Sequence, residues 1–158
     1  MISLRPLPPL RDLEQLVDPG GAQGNSGSTL FALLFVHITN LKQIQIAFGR
    51  EAGDEVLRHV IEQTRGSLRV ADILFGDAND ELIALLHATD TSTAENIASR
   101  IRVKIGEPVA LATGAMLRIH ATITAVCAPD DGVSLQDLFS AAILKGAPDP
   151  CQHAPRVH

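Results

Sequence analysis

Two pairs of charged side chains punctuate the segment 69–81 (RVADILFGDANDE): Arg69 and Asp72, three positions apart, then Asp80 and Glu81, side by side. A guanidinium next to a carboxylate can grip a nucleotide. The planar fork of Arg69 reaches a phosphate or the acceptor edge of a base, while the carboxylate of Asp72 accepts from ring N–H donors. Adjacent carboxylates in a turn are hard oxygen donors of the kind that hold a divalent ion. Each pair also fits a plainer role: a local surface ion pair for Arg69 and Asp72, and a solvated acidic turn for Asp80 and Glu81.

The elements that must position these groups can be read from the hydrophobic pattern. Leu30 to Ile38 (LFALLFVHI) is a continuous apolar run, which suits a central strand covered on both faces. Thr39 or Asn40 then caps a helix carrying Leu41, Ile44 and Phe48, and Gly49 ends it. A second helix starts near Glu51, bears Val56, Leu57, Val60 and Ile61, and runs to about Leu68. Ile73 to Phe75 and Leu82 to Leu86 read as strands joined by the turn-rich Gly76-Asp77-Ala78-Asn79-Asp80, which makes a hairpin. Thr91 or Ser92 caps a third helix, with Ile97, Ala98, Ile101 and Ile105 along its apolar face, stopped by Gly106-Glu107-Pro108. Val109 to Ala112 and Met116 to Val126 are extended segments about Thr113-Gly114-Ala115, and Ser134 caps a last helix with Leu135, Leu138, Phe139 and Ile143. This order predicts an α+β fold, an antiparallel-rich sheet with helices packed against it.

With 158 residues, 46% of them hydrophobic, the chain supports one proper core. The expected organisation is a flexible N-terminal segment over 1–28, a domain over 29–146 and a tail over 147–158. A formal charge of -5, with lysines and arginines scattered, argues against a nucleic-acid surface. No apolar run reaches membrane-spanning length and the amino end has no apolar core of the secretory kind, so neither a membrane nor export is expected and the predicted location is cytoplasmic. Cys127 and Cys151 form no disulfide or zinc pattern. His37, His59, His87 and His120 are dispersed without metal-ligand spacing.

Over roughly Leu30 to Lys145 the chain resembles the GGDEF domain family, the diguanylate cyclases and their inactive relatives. The family phrase D-(I/L)-D-x-F-K-x-I-N-D-x-x-G-H-x-x-G-D stands here as HITNLKQIQIAFGREAGD, from His37 to Asp54, and the signature G-G-D-E-F stands as Ala78-Asn79-Asp80-Glu81-Leu82. The resemblance implies a palm-like sheet flanked by helices. It also implies a reaction joining two GTP molecules with magnesium held by carboxylates, one of them the first Asp of that phrase, which corresponds to His37; the second Asp stands here as Thr39.

A neutral imidazole is a poor magnesium ligand, and the signature has lost both glycines, which leave room for a nucleotide. Gly76 stands where the family has an arginine, and Ile143 lies near the position of an aspartate in its last helix. The departures predict a degenerate domain without cyclase activity, in which His37, Asp80 and Glu81 are vestigial catalytic positions. Gln45 and Asp54 match the guanine-binding Asn and Asp of the family. Magnesium is expected only if GTP binding persists, and otherwise no cofactor.

Arg69-Val70-Ala71-Asp72 matches the family's R-x-x-D product-inhibition site for cyclic di-GMP. Arg100, in Ser99-Arg100-Ile101-Arg102, matches the arginine that assists it. The expected function is a cyclic di-GMP receptor built on Arg69, Asp72 and Arg100. The alternative is a nucleotide-independent interaction module that forms a homodimer or binds a partner signalling protein, and a GTP-binding or weakly cyclising enzyme comes third.

Overall fold

The computed structural model describes residue 13, residues 30–76 and residues 81–146. The hairpin turn 77–80 with Asp80, the tail from residue 147 with Cys151, and the N-terminal segment apart from Leu13 lie outside the described residues.

Among the described residues, ten elements follow in chain order: β1 (Phe31–Ile38), α1 (Leu41–Phe48), α2 (Arg50–Ser67), β2 (Ile73–Gly76), β3 (Leu82–His87), α3 (Thr91–Ile105), β4 (Val109–Ala110), β5 (Met116–Leu117), β6 (Ala121–Ala128) and α4 (Leu135–Leu144). Four strands form one sheet in the order β2-β3-β1-β6, and β4 and β5 make a separate pair. Every pairing is antiparallel. β1 is central, with Phe35 opposite Ile83 of β3 on one side and Thr124 of β6 on the other.

The apolar run of β1 serves two cores because alternate side chains leave a strand on opposite faces. Ala32, Leu34 and Val36 join Val56 and Val60 of α2 and Ile97, Ala98 and Ile101 of α3 in one cluster. Phe31, Leu33 and Phe35 join Leu135, Leu138 and Ala142 of α4 in the other. On that second face the Phe35 and Phe139 rings meet edge to face, 5.5 Å apart. Leu13, ahead of β1, belongs to the same cluster and is fully buried.

Gly49 divides α1 from α2. Its φ of 101° is a conformation that a Cβ disfavours, and its N–H closes α1 on the carbonyl of Gln45 at 2.9 Å.

Two local expectations change. Asp90, rather than Thr91 or Ser92, caps α3, its carboxylate accepting from the Thr93 N–H at 2.8 Å. The extended stretch from Met116 to Val126 breaks at 118–120, where the backbone bonds to the start of α1 instead of a strand. The Asn40 amide donates to the carbonyl of Arg118 at 3.1 Å and accepts from the N–H of His120 at 3.0 Å. Asn40 therefore sits at the N-cap position without capping through its side chain.

Among the described residues β6 is an edge strand, and three of its outer backbone groups are taken by side chains. Arg102 donates to the Ile123 carbonyl at 2.8 Å and Lys145 to the Ala125 carbonyl at 3.0 Å. Asp131 accepts from the Cys127 N–H at 2.8 Å. Among the described residues, no helix is long and apolar enough to cross a membrane.

Candidate functional site

The Arg69–Asp72 segment is the turn between α2 and β2. α2 ends as the Leu68 N–H reaches back to Arg65, and the Asp72 N–H then closes a turn on the Arg69 carbonyl at 3.0 Å. Val70 and Ala71 project into solvent at its tip. The side chain of Asp72 turns inward and is fully buried, whereas that of Arg69 is 49% exposed.

The carboxylate of Asp72 accepts three hydrogen bonds from this chain. Its Oδ2 accepts from the backbone N–H of Arg69 at 2.9 Å and from Arg69 Nε at 3.2 Å. Its Oδ1 accepts from the backbone N–H of His87 at 3.2 Å. Nη2 of Arg69 donates to the His87 carbonyl at 3.0 Å and to Oγ1 of Thr89. The pair is thus more than a solvated surface contact: charge-assisted bonds tie the α2–β2 turn to the end of β3. Arg100, on α3, is exposed, and among the described residues no hydrogen bond or ion pair joins it to Arg69 or Asp72.

At the opposite end of the sheet's central strands, Nδ1 of His37 lies 3.2 Å from Oε2 of Glu81. The pairing of Val36 with Leu82 sets this contact, because it brings the neighbouring ends of β1 and β3 side by side. The Glu81 side chain is 3% exposed and that of His37 30%. Thr39 lies close by, with its hydroxyl donating to the His120 carbonyl at 3.1 Å. One imidazole and one carboxylate do not fit the oxygen octahedron that magnesium requires. Among the described residues, no group of three or more His, Cys, Asp or Glu side chains could hold a metal ion.

Gln45 on α1 and Asp54 on α2 flank the α1–α2 junction. Gln45 lies across Gly53, where an added Cβ would fall 2.5 Å from Gln45 Cγ. Asp54, the next residue, is exposed. Glu55 accepts from the Ala112 N–H at 2.9 Å and anchors the loop between β4 and β5 beside this junction.

Sequence reasoning missed His87 and Thr89. Both act on Arg69 from about twenty residues away, a partnership with no local pattern. The available hint was the position of Thr89, immediately after a strand and ahead of a helix cap.

Comparison with known proteins agrees with this architecture. Residues 7–143 match the family described as "Diguanylate cyclase, GGDEF domain". The cyclic di-GMP phosphodiesterase NbdA of Pseudomonas aeruginosa is 31% identical over 113 residues, 72% of this chain and 14% of that protein. The bifunctional diguanylate cyclase/cyclic di-GMP phosphodiesterase MucR of the same organism is 28% identical over 109 residues, 69% of this chain and 16% of that protein. The chain thus spans a small part of each of these relatives. Among solved structures, the GGDEF domain of YfiN (TpbB) from Pseudomonas aeruginosa superposes with a TM-score of 0.79 at 26% identity, covering 87% of this chain and 81% of that one. The antiparallel sheet, the helices on its two faces and the family match over most of the sequence lead to one conclusion: this chain belongs to the GGDEF domain family.

Proposed function

We propose that this chain is a GGDEF domain without cyclase activity that acts as a receptor for cyclic di-GMP through Arg69 and Arg100, with Asp72 holding Arg69 in place. The observation that carries the reading is the guanidinium of Arg69, fixed by three partners and still half exposed. Two relatives named for making or degrading cyclic di-GMP support the choice of ligand. The loss of a carboxylate at His37, beside the buried Glu81, supports the absence of catalysis.

Calorimetric titration with cyclic di-GMP tests the receptor reading. Binding in the micromolar range or tighter that disappears in Arg69→Ala is expected. No heat at micromolar ligand, or binding unchanged by Arg69→Ala, overturns it. Radiolabelled GTP with magnesium or manganese tests the absence of catalysis, and product formation lost in Asp80→Ala would contradict it.

A second reading is an interaction module, favoured by the apolar side chains that α1 leaves in solvent, Ile46 at 82% and Phe48 at 47% exposure. Its signature is a stable oligomer in light scattering together with a melting temperature indifferent to GTP, GDP and cyclic di-GMP.

A further inference from the structure

We infer that Thr89, together with the carbonyl of His87, is a positioning element of the ligand site, holding Arg69 so that its Nη1 edge alone faces the ligand. This rests on the receptor reading above and specifies which atoms carry it.

A guanidinium has five N–H donors in a rigid fork. In Arg69 the Nε donor goes to Asp72, and Nη2 serves the His87 carbonyl and Thr89 Oγ1. The two donors on Nη1 have no partner among the described residues. Thr89 is 1% exposed, so a ligand cannot touch it. Its own proton is spent on the His87 carbonyl at 2.7 Å, which leaves its oxygen lone pairs to accept from Arg69. Ala88, between the two, has a φ of 48°, a left-handed turn at a residue with a Cβ. That turn brings the His87 carbonyl and the Thr89 hydroxyl onto one guanidinium.

The arrangement also fixes the chemistry of the ligand face. The Asp72 side chain is fully buried and accepts three hydrogen bonds from this chain, so it steadies Arg69 and is turned away from the ligand face. What remains is a donor edge, which selects phosphate oxygens or the O6/N7 acceptors of a guanine. Holding the fork in advance removes the ordering cost that a free arginine side chain would incur on binding.

The experiment combines cyclic di-GMP titration of the wild type, Thr89→Val and Thr89→Ser with NMR observation of the Arg69 Nε–Hε group in ligand-free protein. Thr89→Val keeps the shape and deletes the hydroxyl, and should weaken binding by about fivefold or more, while Thr89→Ser restores it to within about twofold. The Arg69 Hε should exchange with water more slowly than that of Arg100 in the wild type and lose this protection in Thr89→Val. Equal affinity in all three proteins, or wild-type Arg69 Hε exchange as fast as that of Arg100, overturns the positioning role. Should Thr89→Val fail to fold, Thr89→Ala, which also deletes the hydroxyl, takes its place in both measurements. If the wild type binds no cyclic di-GMP, the receptor reading falls, and Arg69 Hε exchange alone judges the role of Thr89.

Discussion

Nδ1 of His37 stands 3.2 Å from Oε2 of Glu81, across the ends of two neighbouring strands. This contact joins two positions that the family resemblance marks as vestigial catalytic ones, and it sets an imidazole beside Glu81 where the resemblance implies a second carboxylate. A double-mutant cycle on His37→Ala and Glu81→Gln, followed by chemical unfolding, should give a coupling of about 0.5–3 kcal/mol. Strict additivity of the two substitutions would show that the contact contributes nothing.

Ala88 holds a left-handed backbone conformation, φ 48°, where an alanine is strained by its Cβ. Ala88→Gly should raise stability by about 1 kcal/mol, visible as a higher urea midpoint at unchanged slope. A lower midpoint would mean that the Cβ contributes packing that outweighs the strain.

Leu13 is fully buried among Phe31, Leu33 and Leu138 on the α4 face of the sheet. Leu13→Ala should therefore cost about 2–5 kcal/mol, the range for emptying a packed leucine site. A change below 0.5 kcal/mol would be the behaviour of a surface residue.

Much of this fold is legible in the sequence wherever the signal is local. The run from Leu30 to Ile38 reads as a central strand because both of its faces need apolar side chains, and Gly49 marks a helix boundary because its backbone requires a positive φ. Partnerships across long stretches of chain are not legible. Asn40 looks like a helix cap in sequence, yet its amide is used on Arg118 and His120, about eighty residues on. Arg69 and Asp72 are recognisable by their spacing, but their partners His87 and Thr89 depend on where β3 ends. The apolar spacing around Leu13 fits an amphipathic segment and says nothing of which sheet face receives it.

Asp90 is held below the ordinary carboxylate range, first by the hydrogen bond from the Thr93 backbone at the start of α3. Because the folded value is the lower one, the capping contribution is complete above the unfolded value and is lost as pH falls through the folded value. Protection of the Thr93 and Ala94 amides against exchange, relative to their intrinsic rates at each pH, should fall in acid as Asp90 protonates. Asp90→Asn, which keeps an acceptor without a titrating charge, should flatten that dependence. An unchanged pH profile in Asp90→Asn would assign the effect to another group.

Arg102, Lys145 and Asp131 occupy the outward-facing backbone of β6 at Ile123, Ala125 and Cys127. A strand from a second molecule would have to displace two cations and a carboxylate before it could hydrogen-bond there. The sheet is in effect finished on that side. Strand addition by a copy or partner is disfavoured at this edge, and a mostly apolar eight-residue strand is guarded against templating aggregation.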